Sequence, residues 1–351
     1  ACRSNEVGHH KQPMKTRRSR KSNYRTIALA CAAMSMVGTN ALQAGGLWLY
    51  ERGTPEVGTA NAGVAARADD AATALNNPAG MTRLEGGQIM LGLQPLFLDI
   101  QFDPNPNTTT TGSAGNADDI LPALGLYYAQ PLGERWSIGF SLASYMGLGV
   151  QYEDDWVGRY YVQESAFLTL SATPSAGFKV TDWLSVGAGV PLQYAGFNLV
   201  SAINRPLVLP DGQMTFEDNS FGVGGLFSVL IEPADKTRIG VSYVTPIKHE
   251  FKDTPEISGL PLSPPETSID MTMPQGVVLS VHQELGERWA VMGNVGWQNW
   301  NQFGQMILGF DATNNRTVTT DRNFKDTWHV AVGGSYRFLP TWRVSAGFAY
   351  D

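Results

Sequence analysis

In eleven stretches between residues 87 and 350, apolar residues alternate with small or polar residues, and this period of two restricts what the chain can fold into. In one such stretch Trp136, Ile138, Phe140 and Leu142 are separated by serine and glycine. A period of two is typical of strands with one apolar and one polar face. The repeats predict eleven strands, at roughly 87–102, 120–131, 135–148, 164–180, 183–197, 218–232, 237–252, 271–284, 288–300, 326–338 and 342–350.

The connections between these strands alternate strictly between short and long. Short turns are predicted near residues 133, 181, 235, 286 and 340, and long connections at 103–119, 149–163, 198–217, 253–270 and 301–325. In an up-and-down antiparallel array this order puts every short turn on one side, as in outer-membrane barrels. Tryptophan follows four of the short turns, at 136, 183, 289 and 342, which indicates an aromatic girdle at a membrane interface.

A soluble β-sandwich or barrel is the alternative, because apolar and polar residues also alternate along the strands of such folds. They bury the apolar face in a core, and their loop lengths show no side preference. The loop order and the tryptophan positions indicate that the apolar face contacts membrane lipid. In a membrane, only a closed barrel gives every backbone N–H and C=O group of the strands a hydrogen-bond partner. The predicted fold is an all-β membrane protein, an antiparallel transmembrane β-barrel over residues 87–351. Its inward positions are mostly small and leave a lumen.

The first 44 residues resemble an export signal. A basic run from Lys15 to Arg25 precedes an apolar stretch, 27–37, and then Ala41-Leu42-Gln43-Ala44. These are the three regions of a secretory signal peptide, predicted here at about 14–44 with cleavage after Ala44. Cys2 and Cys31 are the two cysteines of the sequence. The exported part would therefore contain no disulfide.

Residues 45–86 are rich in small residues and precede the first strand. The segment is helix-prone up to Leu75, Pro78 forces Asn77 out of helical geometry, and Gly80 permits a tight turn. We expect a small N-terminal helical hatch that fills the lumen. The chain carries a net charge of −7, and eight of its 25 Lys and Arg residues precede residue 45, so the remainder is acidic and a nucleic-acid partner is not expected.

Several motifs resemble the FadL-like family of outer-membrane transporters for long-chain fatty acids and other hydrophobic compounds. They are Gly63–Ala71, Asn77–Met81, Trp156–Tyr160, Asp182–Gly187, Arg238–Tyr243 and Lys325–Trp328, in the family's order. The resemblance implies a fourteen-stranded barrel with an N-terminal hatch. It also implies capture of substrate at the outer loops, an internal pocket, and sideways exit at a kink in the third strand, beside the Asn-Pro-Ala bend.

The predicted strand number departs from the family pattern. Eleven strands are three short of fourteen, and an odd number cannot close an antiparallel ring. We therefore expect residues 87–351 to be a C-terminally incomplete barrel, lacking about three strands.

The resemblance and the local pattern together nominate three groups of site residues. Asn77, Pro78, Ala79 and Gly80 are expected to form the gate in the hatch. Gly139, Gly147 and Gly149 would permit a kink in the strand that opens sideways, although glycine is also ordinary strand spacing. The long loops offer an apolar landing surface at Leu207, Leu209, Leu260 and Leu262, or these leucines pack on one another to hold the loops.

The predicted function is passive, gated uptake of hydrophobic molecules such as long-chain fatty acids, with release into the membrane. The alternatives are uptake of aromatic hydrocarbons, or a surface receptor or adhesin with a structural plug. No catalytic or metal-binding motif occurs, so no enzyme, metal or cofactor is expected. Expected partners are a hydrophobic small molecule, outer-membrane lipid and the barrel-assembly machinery, with a monomeric chain. Arg159, Lys179 and Arg205 are candidates to pair with a carboxylate head group.

Overall fold

A computed structural model describes residues 48–50, 52–205, 210–259, 264–310, 316–321 and 324–351. The predicted signal peptide and the four landing-loop leucines lie outside these residues. None of the helices in the described ranges is long and apolar enough to cross a membrane.

Short helices precede the strands, as expected for the hatch. They are the 3-10 helix Pro55–Thr59, the α-helix Thr73–Asn76 and the 3-10 helix Pro78–Arg83. One more α-helix, Trp300–Gly304, lies in a long connection. The strands are β1 Gln88–Gln101, β2 Asn116–Leu132, β3 Trp136–Ala143, β4 Gly147–Gln151, β5 Glu164–Thr181, β6 Leu184–Gly189, β7 Leu192–Ile203, β8 Gly212–Val223, β9 Leu226–Ala234, β10 Thr237–Val244, β11 Ile247–Asp253, β12 Glu256–Ser258, β13 Thr267–Met273, β14 Gly276–Leu285, β15 Trp289–Gln298, β16 Gln305–Phe310, β17 Arg316–Asp321, β18 Thr327–Leu339 and β19 Trp342–Tyr350.

The eleven predicted strands are confirmed as one antiparallel path, β1-β2-β3-β5-β6-β9-β10-β14-β15-β18-β19. Their short turns are where the sequence predicts them. The repeated Leu-Gly-Glu-Arg-Trp turns have Gly133 and Gly286 at φ 74° and 75°, a left-handed conformation that glycine adopts without steric cost. Among the described strands β1 pairs only with β2, and β19 only with β18.

Five of the predicted strands are not continuous but are interrupted near their middle. The interruptions separate β3 from β4, β6 from β7, β8 from β9, β10 from β11 and β13 from β14. Pro191, Pro246 and Pro274 lie at three of them, because proline has no N–H to donate to a ladder. Beyond the interruptions, β11, β13, β16 and β17 form a separate four-stranded sheet.

The outward face is apolar along the predicted alternation. On β1, Ile89, Leu91, Leu93 and Phe97 have 70–78% of their surface exposed. The four tryptophans that follow short turns are exposed as well, at 53–63%. A soluble domain would bury these side chains. The outward face therefore has the character of a lipid-facing surface with an aromatic girdle.

The small inward residues are in the half of the sheet near the short turns. There serine, threonine and glycine lie against the hatch, together with a few large side chains, Arg238, His282 and Met292 among them. In the half near the long loops, phenylalanines from several strands fill the interior. The expectation of small residues throughout the lumen is corrected in this respect, because the room that small residues leave is needed only where the hatch lies.

We predict that Leu93→Arg lowers the free energy of unfolding by about 2–4 kcal/mol, the cost of a cation facing the hydrocarbon near the bilayer centre. Asp99→Arg, on the same face of β1 but beyond its last apolar position, is the matched control and should change stability by less than about 1 kcal/mol. Reversible unfolding in phosphatidylcholine vesicles measures both. Equal losses in the two variants would contradict a lipid-facing β1.

Candidate functional site

The Asn-Pro-Ala bend of the hatch is held by the side chain of Asn77, which is 1% exposed. Its Nδ2 donates to the carbonyls of Ala65 at 2.5 Å and Val229 at 3.1 Å, and its Oδ1 accepts from the N–H of Ala79 at 3.1 Å. Pro78 begins the following 3-10 helix. A single amide therefore ties together two parts of the hatch and β9 of the wall.

The wall accepts the hatch at positions without a side chain. Gly177 of β5 and Gly187 of β6 are paired with each other, and a Cβ atom on either would lie within 3.0 Å of the backbone of Pro78 or Ala79. Wall serines complete the contact by hydrogen bonding to hatch backbone. They are Ser137 to Met81, Ser175 to Ala74, Ser228 to Ala79 and Ser280 to Ala65, at 3.0–3.2 Å.

The third predicted strand is interrupted at residues 144–146, between β3 and β4. The ladder of β2 with β3 ends at the pair Gly125 and Ala143, and β4 pairs with β5 alone among the described strands. The outer half of β2, residues 116–124, therefore has β1 as its ladder partner but none on its other side. The sheet has a gap there.

The N-terminal end of the hatch lies at this gap. Trp48 forms a bridge with Met146, and the N–H of Leu49 donates to the carbonyl of Tyr145 at 3.0 Å. Beside them, a Cβ atom on Gly147 would contact Leu49 and Leu121 at 3.4 Å and Leu168 at 3.5 Å. Apolar side chains and a short piece of hatch backbone thus occupy the place of the missing ladder.

The three nominated strand glycines have different positions. Gly139 lies inside the continuous part of β3, with ladder partners Ala129 and Ser175, and a Cβ atom there would meet Met81 and Ala74 of the hatch. Gly147 is the first residue after the interruption, and Gly149 lies two positions further along β4. The bend at Asn77 packs on β5, β6 and β9, whereas Ala74 and Met81 are the hatch residues that meet β3.

An aromatic cluster fills the interior above the hatch. Phe167, Phe197 and Phe251 have ring centroids 5.6–6.5 Å apart, and Phe216 and Phe303 extend the cluster. The sequence reasoning missed these residues because it treated inward positions as small. The alternation of inward and outward positions along β5 could have identified Phe167, because it lies at an inward position between apolar outward residues.

A small cavity of about 80 Å³ lies between the hatch and the wall. The hatch contributes Trp48, Tyr50, Arg52 and Leu75, and β10, β14, β15 and β18 contribute the opposite side. Tyr50 stacks on His329 with centroids 4.3 Å apart and accepts from Gln298 Nε2 at 2.9 Å. The sequence did not indicate Arg52, since nothing near it in the chain distinguishes it from a surface arginine.

The hatch is ion-paired at the side of the short turns. Asp69 accepts from Arg67 at 2.7 Å and from Arg343 of β19 at 2.8 Å. Burial alone would raise the pKa of Asp69, but these two arginines outweigh it and hold the pKa below its ordinary value. Burial, together with the carboxylates of Glu56 and Asp69, raises the pKa of Asp70 to about 7.

All three cations nominated for a carboxylate head group already have partners. Arg159 forms an ion pair with Asp211 at 2.7 Å, and Lys179 with Asp182 at 3.0 Å. Arg205 donates to the carbonyl of Gly259 at 2.6 Å and also to that of Pro210. These side chains hold loops and a turn together.

Residues 35–351 match the model of the family described as outer membrane protein transport protein (OMPP1/FadL/TodX). The chain belongs to this family. As a member of the OMPP1/FadL/TodX family it is an outer-membrane transport protein, and the predicted membrane barrel class is confirmed.

Relatives of known name cover most of the chain. It is 23% identical to the long-chain fatty acid transport protein of Escherichia coli O6:H1, over 95% of this chain and 82% of the relative. A Pseudomonas aeruginosa FadL homologue has a similar fold, with a TM-score of 0.78, 22% identity, and coverage of 87% and 81%. The Ralstonia pickettii toluene transporter TbuX gives a TM-score of 0.67 and 21% identity, with coverage of 86% and 87%.

We predict that Asn77→Ala lowers the free energy of unfolding by about 2–4 kcal/mol, because it leaves two buried carbonyls without their donor. Asn76→Ala is the matched control. Asn76 is adjacent and also buried, but its side chain makes no hydrogen bond among the described residues, so the change should cost less than about 1 kcal/mol. Urea unfolding in detergent measures both, and equal losses would remove the special role of Asn77.

The raised pKa of Asp70 predicts a pH dependence. Between about pH 4 and pH 7 the folded protein keeps a proton on Asp70 that the unfolded chain releases, so the stability contributed by this group is lost as pH rises through that range. Asp70→Asn stays neutral and keeps the acceptor for the Ala72 N–H. Its stability relative to the native protein should therefore be higher at pH 8 than at pH 5.

The same unfolding experiment with Asp99→Asn provides the control, since Asp99 is exposed on β1. This variant measures how an Asp→Asn exchange outside the hatch affects stability at each pH, and its values are subtracted from those of Asp70→Asn. A constant difference for Asp70→Asn after this subtraction would show that Asp70 does not titrate in this range.

Proposed function

We propose that this outer-membrane protein is a passive channel for hydrophobic molecules such as long-chain fatty acids, gated by the hatch and opening sideways into the membrane. Hydrophobic solutes move downhill from water into lipid, so the transfer needs no energy source. The observation that carries the proposal is the gap between β2 and β4, which is bordered by Leu49, Leu121 and Leu168.

The interior above the hatch supports an apolar route to this gap. Phe167 of the aromatic cluster and Leu168 at the gap are consecutive residues of β5, one inward and one outward. A molecule held among the phenylalanines is therefore one strand thickness from the outer surface. The buried residues of this cluster are apolar, whereas the lumen of a polar pore is lined by polar side chains.

The proposed gate is the hatch, with Asn77, Pro78, Ala79 and Gly80 as its fixed end. Trp48 and Leu49 are its movable end, because they are held at the gap by few backbone hydrogen bonds. A ligand that displaces them would favour the open state over the closed one. Gly147 is the proposed flexible position of the third predicted strand. Leu207, Leu209, Leu260 and Leu262 of the outer loops are the proposed surface that first binds the hydrophobic molecule.

Aromatic hydrocarbons are the second candidate cargo, since TbuX is by name a toluene transporter. The phenylalanine cluster would accept a planar ring as readily as an alkyl chain. A receptor or adhesin role with a structural plug has less support, because a plug of that kind does not require an apolar gap beside it. Insertion by the barrel-assembly machinery and a monomeric state remain predictions.

Closing the gap tests the proposal. We predict that Leu121→Cys with Gly147→Cys, joined by a short bifunctional thiol reagent, lowers uptake of labelled oleate and labelled toluene by cells at least fivefold. A reducible reagent should restore uptake after reduction. The matched control is Leu126→Cys with Leu142→Cys, a pair on the intact ladder of β2 and β3, whose cross-link should leave uptake unchanged.

Unchanged uptake after the first cross-link would rule out sideways exit between β2 and β4. Uptake of neither compound by cells with the uncross-linked protein would remove the transport proposal itself. A loss restricted to one compound would identify the cargo that uses this exit.

A further inference from the structure

On the side of the long loops, two neighbouring strands of the wall are not joined by a ladder. β9 and β10 are paired up to Leu226 and Val244, but their continuations β8 and β11 share no ladder among the described strands. Side chains accept the hydrogen bonds of backbone N–H groups there instead. The bonds are Lys252 N–H to Asp218 Oδ2 at 2.6 Å, Glu250 N–H to Ser220 Oγ at 3.2 Å and Glu217 N–H to Asp253 Oδ2 at 3.0 Å. We call this line between β8 and β11 the seam.

The seam has no ladder because the side chains of its two strands alternate out of phase. Asp218 is level with Lys252 and Ser220 with Glu250, which continues the register of β9 and β10. Ser220 is on the inward side of β8, however, while Glu250 and Lys252 are exposed on the outward side of β11. Inward positions are even-numbered along β10 and odd-numbered along β11, so the alternation shifts by one residue at Pro246. Opposite residues of a regular ladder face the same side.

The aromatic cluster lies directly behind the seam. Phe216 belongs to β8 and Phe251 to β11, and both are buried. Phe197 of β7 contacts the two rings, with centroids 5.9 Å from Phe216 and 5.6 Å from Phe251. Separation of β8 from β11 therefore opens the cluster through the wall.

The four-stranded sheet that contains β11 has hinges at its inner edge. β11 follows β10 at Pro246, β13 joins β14 at Pro274, and β16 follows β15 through the helix Trp300–Gly304. The strands of this sheet bond one another in their own ladders, and the two prolines have no N–H that a bend would have to break. At the inner end of the seam, a Cβ atom on Gly222 would lie 2.5 Å from Ile247. This end is closely packed, so the sheet separates from β8 at the outer end.

Charged side chains border the seam, and all but one lie in its outer part. They are Glu217 and Asp218 of β8 and Lys248, Glu250, Lys252 and Asp253 of β11, with Lys248 nearest the inner end. Four carboxylates and two ammonium groups make this border acidic. The gap between β2 and β4 is bordered by leucines instead. Charged side chains avoid hydrocarbon, so the seam opens at the polar surface of the membrane and the gap opens into its interior.

We propose that the four-stranded sheet opens along the seam and admits neutral hydrophobic molecules to the aromatic cluster from the outer surface of the membrane. The inference rests on the proposed uptake channel and adds an entrance to the exit at the gap. The acidic border disfavours carboxylates, because like charges repel. A neutral ring or alkyl chain meets no such barrier and gains contact with the phenylalanines. Fatty-acid anions then depend on the outer loops for entry.

Hydrogen exchange of the native protein in detergent tests whether the seam opens. The N–H groups of Glu250 and Lys252 bond across the seam, whereas those of His249 and Phe251 point to β13 on the other side of the same strand. Amides that local opening exposes exchange faster, so Glu250 and Lys252 should exchange at least tenfold faster than His249 and Phe251. Equal rates at the four positions would overturn the proposal.

A cross-link over the seam tests whether cargo enters there. Glu217→Cys with Lys252→Cys places two thiols on the exposed outward face at adjacent levels and leaves the net charge unchanged. Joining them with a short bifunctional thiol reagent should lower uptake of labelled toluene by cells at least fivefold, relative to the same variant without reagent. Uptake of labelled oleate should change less than twofold.

Ile231→Cys with Ile239→Cys is the matched control, because it joins the same pair of strands below the seam, where β9 and β10 have an intact ladder. Its cross-link should leave uptake of both compounds unchanged. The entrance is refuted if toluene uptake survives the seam cross-link, or if the control cross-link lowers it equally. An equal loss of oleate uptake refutes the selection of neutral cargo.

These outcomes are distinct from failure of the proposed function. Toluene uptake that survives the seam cross-link removes the entrance and leaves the uptake channel standing. Uptake of neither compound by cells with the native protein would remove both. The exchange measurement needs no variant, so the proposal stays testable if the cysteine pairs do not fold.

Discussion

The lack of a side chain at the wall positions that face the Asn-Pro-Ala bend is the constraint on which the structure depends. Because Gly177 and Gly187 carry no Cβ atom, the backbone of Pro78 and Ala79 contacts the wall directly. The wall serines then add hydrogen bonds to the hatch backbone, at the N–H of Ala79 and the carbonyl of Ala74. Buried backbone groups need such partners. The hatch and the wall are therefore one packed unit, although they are far apart in the chain.

The interruptions divide the interior into two levels with different chemistry. Prolines end the ladder at Pro191, Pro246 and Pro274, and the strands beyond them turn phenylalanines inward, including Phe197 and Phe251. Below this level the interior is polar and filled by the hatch. At the third strand the interruption also leaves the outer half of β2 with β1 as its one ladder partner among the described strands, and Trp48 and Leu49 of the hatch lie at this gap. The proposed gate and the proposed opening therefore belong to the same contact.

Charge is distributed unevenly through the hatch. Arg67, Asp69 and Arg343 form a closed set of ion pairs at the end near the short turns, where they tie hatch to wall. Arg52, which lies near the start of the described part of the hatch, forms no ion pair with another described residue and lines a cavity with aromatic walls. A structural role explains the paired arginines, because each satisfies a nearby carboxylate.

The sequence by itself determined the strands, their turns, the outward tryptophans and the bend at Pro78, since each follows from local periodicity or backbone restriction. It also contained the interrupting prolines and the inward parity of Phe167, which the pattern analysis did not use. Only the tertiary structure decided that Asn77 bonds Val229, 152 residues away, and that Arg159 is paired with Asp211. Periodicity determines which face a side chain is on. What opposes that face depends on residues brought together by the sheet, and no local pattern contains that information.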